Sequence, residues 1–185
     1  MHLVPIEQLE RKDIRKMKRL NREAFPKVER IPFDKLAEVS KSDQFDFLAI
    51  KADELFIGFF LIAKNKGDAY LMFFAIAKRH RAKGYGGPTL IALQEYYPSK
   101  QIVLDLEEMA DDEPNIKQRE AKKEFYKRTG FMETGYNIHY ANKHFELLCN
   151  KETFNKESFR TLLDEIKDIV NTIKAEKFEP VITEK

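Results

Sequence analysis

The run Phe73-Phe74-Ala75-Ile76-Ala77-Lys78-Arg79-His80-Arg81-Ala82-Lys83-Gly84-Tyr85-Gly86-Gly87 constrains the fold more than any other part of the chain. An apolar, strand-like stretch ends in a burst of cations. It then opens through three glycines into a helix-like stretch from Thr89 to Tyr97. Strand, tight glycine turn and helix in that order build a cradle for an anion. The glycines let backbone N–H groups approach and converge, and the first helical turn adds unpaired N–H groups and the positive end of its dipole. The cations bring net charge that the backbone lacks. The segment therefore predicts an α/β fold that holds a phosphate-bearing ligand.

Two common phosphate loops are excluded by spacing. No Gly-Lys pair is followed by Ser or Thr, so a Walker loop is absent. The dinucleotide fingerprint G-x-G-x-x-G fails because Thr89 stands at its last glycine. The spacing that remains is R-x-x-G-x-G, at Arg81-Ala82-Lys83-Gly84-Tyr85-Gly86. With Phe74-Ala75-Ile76 ahead of it and Tyr126-Lys127-Arg128-Thr129-Gly130-Phe131 downstream, the chain resembles the GNAT acyltransferase superfamily over about residues 10–150.

The resemblance implies a mixed, largely antiparallel central sheet flanked by helices, and acetyl-CoA as co-substrate with no metal. It implies that Phe74 and Ile76 offer backbone groups to pantetheine. Arg81, Ala82, Lys83, Gly84, Tyr85, Gly86 and Gly87 would wrap the pyrophosphate, with charge-assisted bonds from Arg81 and Lys83. Tyr126 matches the family tyrosine that donates a proton to the departing thiolate. Helix neighbours Phe125 and Tyr126 cannot both face one core, which leaves Tyr126 for the cofactor. The chain departs from the family in having Arg119 where many members have Asn; Asn115 lies four residues further upstream and does not inherit that role.

An alkyl ammonium, titrating near ~10, must lose a proton before it attacks a thioester. Glu107, ending a strand over Ile102–Glu107, is the carboxylate expected to take it. Glu108 is adjacent and points elsewhere if the strand continues. His80, His139 and His144 are titratable, but nothing in their spacing selects them. Cys149 lies in the apolar run Phe145-Glu146-Leu147-Leu148-Cys149 and reads as a buried structural thiol.

The rest of the sequence frames this site. Helices are expected at 12–24, 33–40, 117–128 and 156–175, and strands at about 46–51, 55–64, 69–77, 101–107, 131–140 and 144–149. Phe159, Leu162, Leu163, Ile166, Ile169, Val170 and Ile173 recur at helical spacing, so 156–175 is amphipathic. It either covers its own sheet or forms a dimer contact, leaving monomer and homodimer both open. The last ten residues read as frayed. The domain assignment is 1–150 for the transferase-like unit and 151–185 for a helical extension packed on it.

Lys+Arg (33) nearly cancel Asp+Glu (31), so no global field attracts nucleic acid or an acidic membrane. The longest apolar run, Leu55 to Ala63, contains Gly58 and is too short to span a bilayer. One cysteine and no visible signal peptide fit a cytoplasmic protein. The acceptor is expected to be an amine bound near residues 12–40 and 131–150. Glu29 could attract a cation but reads first as a surface loop carboxylate, and the acidic loop Asp111-Asp112-Glu113 favours a cationic acceptor. A non-catalytic acyl-CoA-binding or regulatory module on the same fold is the alternative reading.

Overall fold

The structure, a computed structural model, describes residues 1–25, 30–107 and 116–185. Glu29, Glu108, the Asp111–Glu113 loop and Asn115 lie outside them. In chain order the elements are β1 (His2–Pro5), α1 (Arg11–Ala24), α2 (Phe33–Val39), β2 (Phe45–Ala52), β3 (Leu55–Lys64) and β4 (Asp68–Ile76). There follow α3 (Gly86–Tyr96), β5 (Gln101–Glu107), α4 (Ile116–Arg128), β6 (Met132–Tyr140), β7 (Lys143–Cys149), α5 (Lys156–Ile173) and β8 (Val181–Glu184). The eight strands form one sheet in the order β1-β2-β3-β4-β5-β7-β6-β8. Only β4 and β5 pair in parallel, as the α3 crossover between them requires.

Strand alternation divides the core between the two sheet faces. Phe47, Phe59, Leu61 and Val103 face α1, α2 and α5. Leu48, Phe60, Ile62, Leu104 and Leu106 face α3 and the Tyr126 side of α4. The amphipathic helix α5 buries Phe159, Leu162, Leu163, Ile166, Val170 and Ile173 on the first face. Its start is fixed by Asn155, whose side chain accepts from Ser158 N at 3.0 Å. Ser158 and Gln101 both donate to the buried Asp68, tying α5 to β4 and β5.

Two local features open the sheet where the glycine segment begins. First, the β3–β4 register jumps from Leu61↔Phe73 to Ile62↔Leu71, leaving Met72 as a bulge. Met72 and Phe73 both pack on the α1/α2/α5 side, and the parity of the strand is reversed beyond them. Phe74 and Ile76 are thereby turned to the α3/α4 side. Second, β4–β5 pairing ends at Leu71↔Leu104, although β4 runs on to Ile76 and β5 to Glu107. The strands part there as a fork.

The C-terminus differs from expectation. Residues 181–184 are not frayed but pair with β6, from Tyr136↔Glu184 to His139↔Val181. The preceding turn is fixed by Asn171, which donates to Phe178 O at 3.2 Å and accepts from Phe178 N at 2.7 Å. Phe178 is fully buried, so the segment is anchored before the strand starts. The N-terminal strand β1, paired with β2, was also unexpected.

Candidate active site

The glycine segment folds as a loop between the end of β4 and the start of α3. Arg81 Nε donates to Ile76 O at 2.9 Å, folding the loop back on the strand. His80 is buried edge-on to Tyr85, with ring centroids 5.6 Å apart. Burial, together with Arg79 and Lys83, holds the His80 pKa below its usual value, which favours a neutral ring. Ala82 and Gly84 take positive φ of 55° and 80°, reversing the chain so that successive amides converge. The amides of Ala82 to Gly87 make no backbone hydrogen bond of good geometry among the described residues. Helix α3 starts at Gly86, three residues earlier than expected, and no side chain caps it. Its first-turn donors are therefore available to an anion.

These groups line a cleft of about 540 Å³. Phe74, Ile76, Arg81, Ala82, Gly84, Tyr85, Gly86 and Gly87 are on its wall, and Lys83 is not. The opposite wall is Phe125, Arg128 and Thr129 of the α4 end, and His80 completes it. A Cβ on Gly86 would lie 2.9 Å from both Cε2 and Cζ of the Phe125 ring, so the glycine and the phenylalanine are fitted to each other.

The expected division of labour on α4 is thus reversed: Phe125, not Tyr126, lines the cleft. Tyr126 is 6% exposed and packs edge-on to Phe131 at 5.9 Å. The tight turn through Gly130 brings Phe131 back under it, with Phe131 N donating to Tyr126 O at 3.1 Å. The Tyr126 hydroxyl has no hydrogen-bond partner among the described residues. Burial, with a smaller contribution from Asp105, pushes its pKa well up, so it is a protonated donor at neutral pH.

Glu107 lies elsewhere. Its carboxylate pairs with Arg119 at 3.2 Å and is half exposed. It borders a separate recess of about 70 Å³ with Leu106, Arg119, Lys122, Lys123 and Glu146. Lys123 bridges Glu146 at 2.8 Å and Glu133 at 3.0 Å. That bridge, against a smaller opposing effect of burial, brings the Glu133 pKa down to about 2. Cys149 is buried, and burial raises its thiol pKa. His139 and His144 sit against each other, 4.3 Å between ring centroids, on the β6–β7 hairpin. Among the described residues no group of His, Cys, Asp and Glu is arranged to hold a metal ion, and no helix is long and apolar enough to cross a membrane.

A family model described as the acetyltransferase (GNAT) family matches residues 14–131, which span the fork, the glycine loop and α4. The chain belongs to the GNAT acetyltransferase family. Solved structures agree on the fold. A protein from Bacteroides thetaiotaomicron assigned to the GNAT family superposes with a TM-score of 0.71 at 22% identity, covering 94% of this chain and 100% of that one. An aminoglycoside 6'-N-acetyltransferase complexed with coenzyme A gives 0.57 at 14% identity, covering 80% and 96%. The ribosomal-protein-S18-alanine N-acetyltransferase from Escherichia coli gives 0.58 at 14%, covering 84% and 96%. No curated protein sequence matches this GNAT chain.

Proposed function

We propose that this GNAT protein is an acetyl-CoA-dependent N-acetyltransferase that moves the acetyl group to a primary amine of a small molecule or peptide by direct attack in a ternary complex. The observation that carries the reading is the cleft itself. Free loop amides, the α3 N-terminus and Arg81 converge at one end, and the unpaired edge of β4 runs from there to the fork. A pyrophosphate fits the first and an amide-bearing arm the second. Phe125, seated against Gly86, gives the cofactor a flat apolar side. The coenzyme A complex and the alanine N-acetyltransferase among the related folds concern other proteins, but their chemistry is the one this cleft suits. The lone buried Cys149 suits a reducing compartment such as the cytoplasm.

Tyr126 is the proposed acid for the leaving sulfur, because its phenol is protonated and its hydroxyl uncommitted. Acetyl-CoA at a hundredfold excess over Kd should stabilise the protein by about 2.7 kcal/mol. For a chain of this size that raises the melting temperature by roughly 5–10 °C. No shift at saturation would sink the reading. Thiol release across a panel of amines then distinguishes an enzyme from a non-catalytic acyl-CoA module. Tyr126→Phe should cut turnover about a hundredfold, the lower end for a lost general acid, with KM for acetyl-CoA little changed. Undiminished turnover would remove Tyr126 from the chemistry.

Gly86→Ala tests the cofactor wall. The new methyl must displace the Phe125 ring, which forms part of the cleft wall. A cost of about 1.4 kcal/mol in binding is a tenfold rise in KM for acetyl-CoA. An unchanged KM would mean that the cofactor does not run past Phe125.

A further inference from the structure

We propose that Asp105 takes the proton from the acceptor's ammonium, with the Tyr140 and Tyr70 hydroxyls positioning its carboxylate. The assignment rests on the N-acetyltransferase reading above and supplies its acceptor side. Asp105 is the first β5 residue beyond the last β4–β5 pair, Leu71↔Leu104, so it stands where the fork opens. Leu104 and Leu106 belong to the α3/α4 core and Val103 to the other. By alternation Asp105 therefore faces away from the glycine-loop cleft, on the side covered by α1, α2 and α5. A thioester lying in the fork would have Tyr126 on one side of the sheet and Asp105 on the other.

The surroundings of Asp105 set it apart from the other enclosed acids. Asp13 is salt-bridged to Lys16 at 2.7 Å, Asp46 to Lys64 at 2.7 Å, and Asp68 locks α5 through Ser158 and Gln101. Asp105 has no cation within salt-bridge distance among the described residues. It accepts instead from the Tyr140 hydroxyl, with a further contact from Tyr70. Tyr140 is stacked on Phe145 with centroids 4.6 Å apart, which fixes the hydroxyl that holds the carboxylate. Lys174 lies 4.7 Å from the Tyr140 ring centroid and 5.0 Å from that of Phe178. Asp105 keeps part of its surface accessible. A carboxylate held by neutral hydroxyls, with no cation paired to it, retains a charge to offer an ammonium ion.

The groups that bear on Asp105 are Tyr70 from β4, Tyr140 from β6, Lys174 beyond α5, and Lys122 and Tyr126 from α4. Burial raises its pKa above the ordinary carboxylate value, while Tyr140, Lys174, Tyr70 and Lys122 pull it partly back. It is thus a stronger base than a surface carboxylate. The acceptor R–NH3⁺ gives one proton to Asp105. The freed lone pair forms the C–N bond at the thioester carbonyl as the C–S bond breaks. The second amine proton ends on the coenzyme sulfur, and Asp105 returns its proton to water.

The test compares wild type, Asp105→Asn, Glu107→Gln and Tyr140→Phe in the full chain, with acetyl-CoA and the best amine of the panel. Asp105→Asn should lower kcat about a hundredfold near pH 7. The acetyl-CoA-induced thermal shift and KM for acetyl-CoA should be kept, the acidic limb of kcat/KM should vanish, and the deficit should narrow as alkaline pH deprotonates the amine. Tyr140→Phe, which removes a bond to the charged form, should move the acidic limb to higher pH; a structural role alone would leave the limb in place. Should Asp105→Asn fail to fold, an unmoved limb in Tyr140→Phe overturns the assignment. An active wild type with an equally active Asp105→Asn, or loss of the limb in Glu107→Gln alone, also overturns it while leaving the N-acetyltransferase reading intact. A wild type inactive towards every amine overturns both.

Discussion

Gly58→Ala should cost about 3 kcal/mol of stability, the upper end for forcing a methylene into a packed interior. For a chain of this size, that lowers the melting temperature by roughly 6–12 °C. Gly58 pairs with Ile76 at the far end of β4. A Cβ there would lie 2.1 Å from Ala75 O, 3.0 Å from Ala75 C and 3.1 Å from Ile76 Cα. All three atoms are backbone, so no rotamer change relieves the contact, and β3 and β4 must separate. They are also held on the next residue, where Ala77 N donates to Ile57 O at 2.9 Å. The displaced segment leads directly into the glycine loop and carries Ile76 O, the acceptor for Arg81. The variant should therefore lose acetyl-CoA affinity as well as stability, although residue 58 does not line the cleft. Denaturant unfolding and the cofactor-induced thermal shift would read the two losses separately. Wild-type stability would mean that the strand ends yield freely, and would remove the rigid β4 terminus from the account of the site.

The same strand shows what a sequence can and cannot convey about such a site. Arg81-x-x-Gly84-x-Gly86 was legible because the constraint is local: backbone donors, absent Cβ atoms and charge lie within six residues. The direction of Phe74 and Ile76 was not. It depends on the Met72 bulge, which reverses the parity of β4, and a run as uniformly apolar as Ala69–Ala77 has no alternation to betray it. The directions of Tyr126 and Phe125 were hidden for a similar reason. Both are aromatic and adjacent, and the choice between core and cleft is made by distant partners, Phe131 for one and Gly86 for the other. Glu107 was selected as the base because it ends the strand. Asp105, two residues earlier, looked like an ordinary strand residue until the last β4–β5 pair located the fork and Tyr140 came across from β6. Strand β8 was hidden by the charged residues around it, because its anchor is a long-range fact, the burial of Phe178 beside Asn171.

Phe159→Ala should be the most damaging single truncation on the α5 side. Removing a fully buried phenylalanine costs about 4 kcal/mol, the transfer term plus the cavity left behind. That corresponds to a fall of roughly 8–16 °C in melting temperature. Phe159 meets Tyr70 edge-on at 5.4 Å and Phe154 at 5.8 Å, in the first turns of a helix whose cap and Asp68 anchor lie within four residues. Tyr70 is one of the hydroxyls that bear on Asp105. The cavity should therefore loosen the proposed base, and turnover should fall further than acetyl-CoA binding, which belongs to the opposite face. Equal losses in kcat and in cofactor affinity would instead point to a global loosening of the sheet. The same packing predicts that residues 1–150 alone will not fold stably. They would expose the surface covered by six apolar side chains of α5 and lose the β8 edge of β6. A cooperative unfolding transition in that fragment would show that α5 and β8 only decorate the fold. Its absence would make them part of what holds Asp105 at the fork.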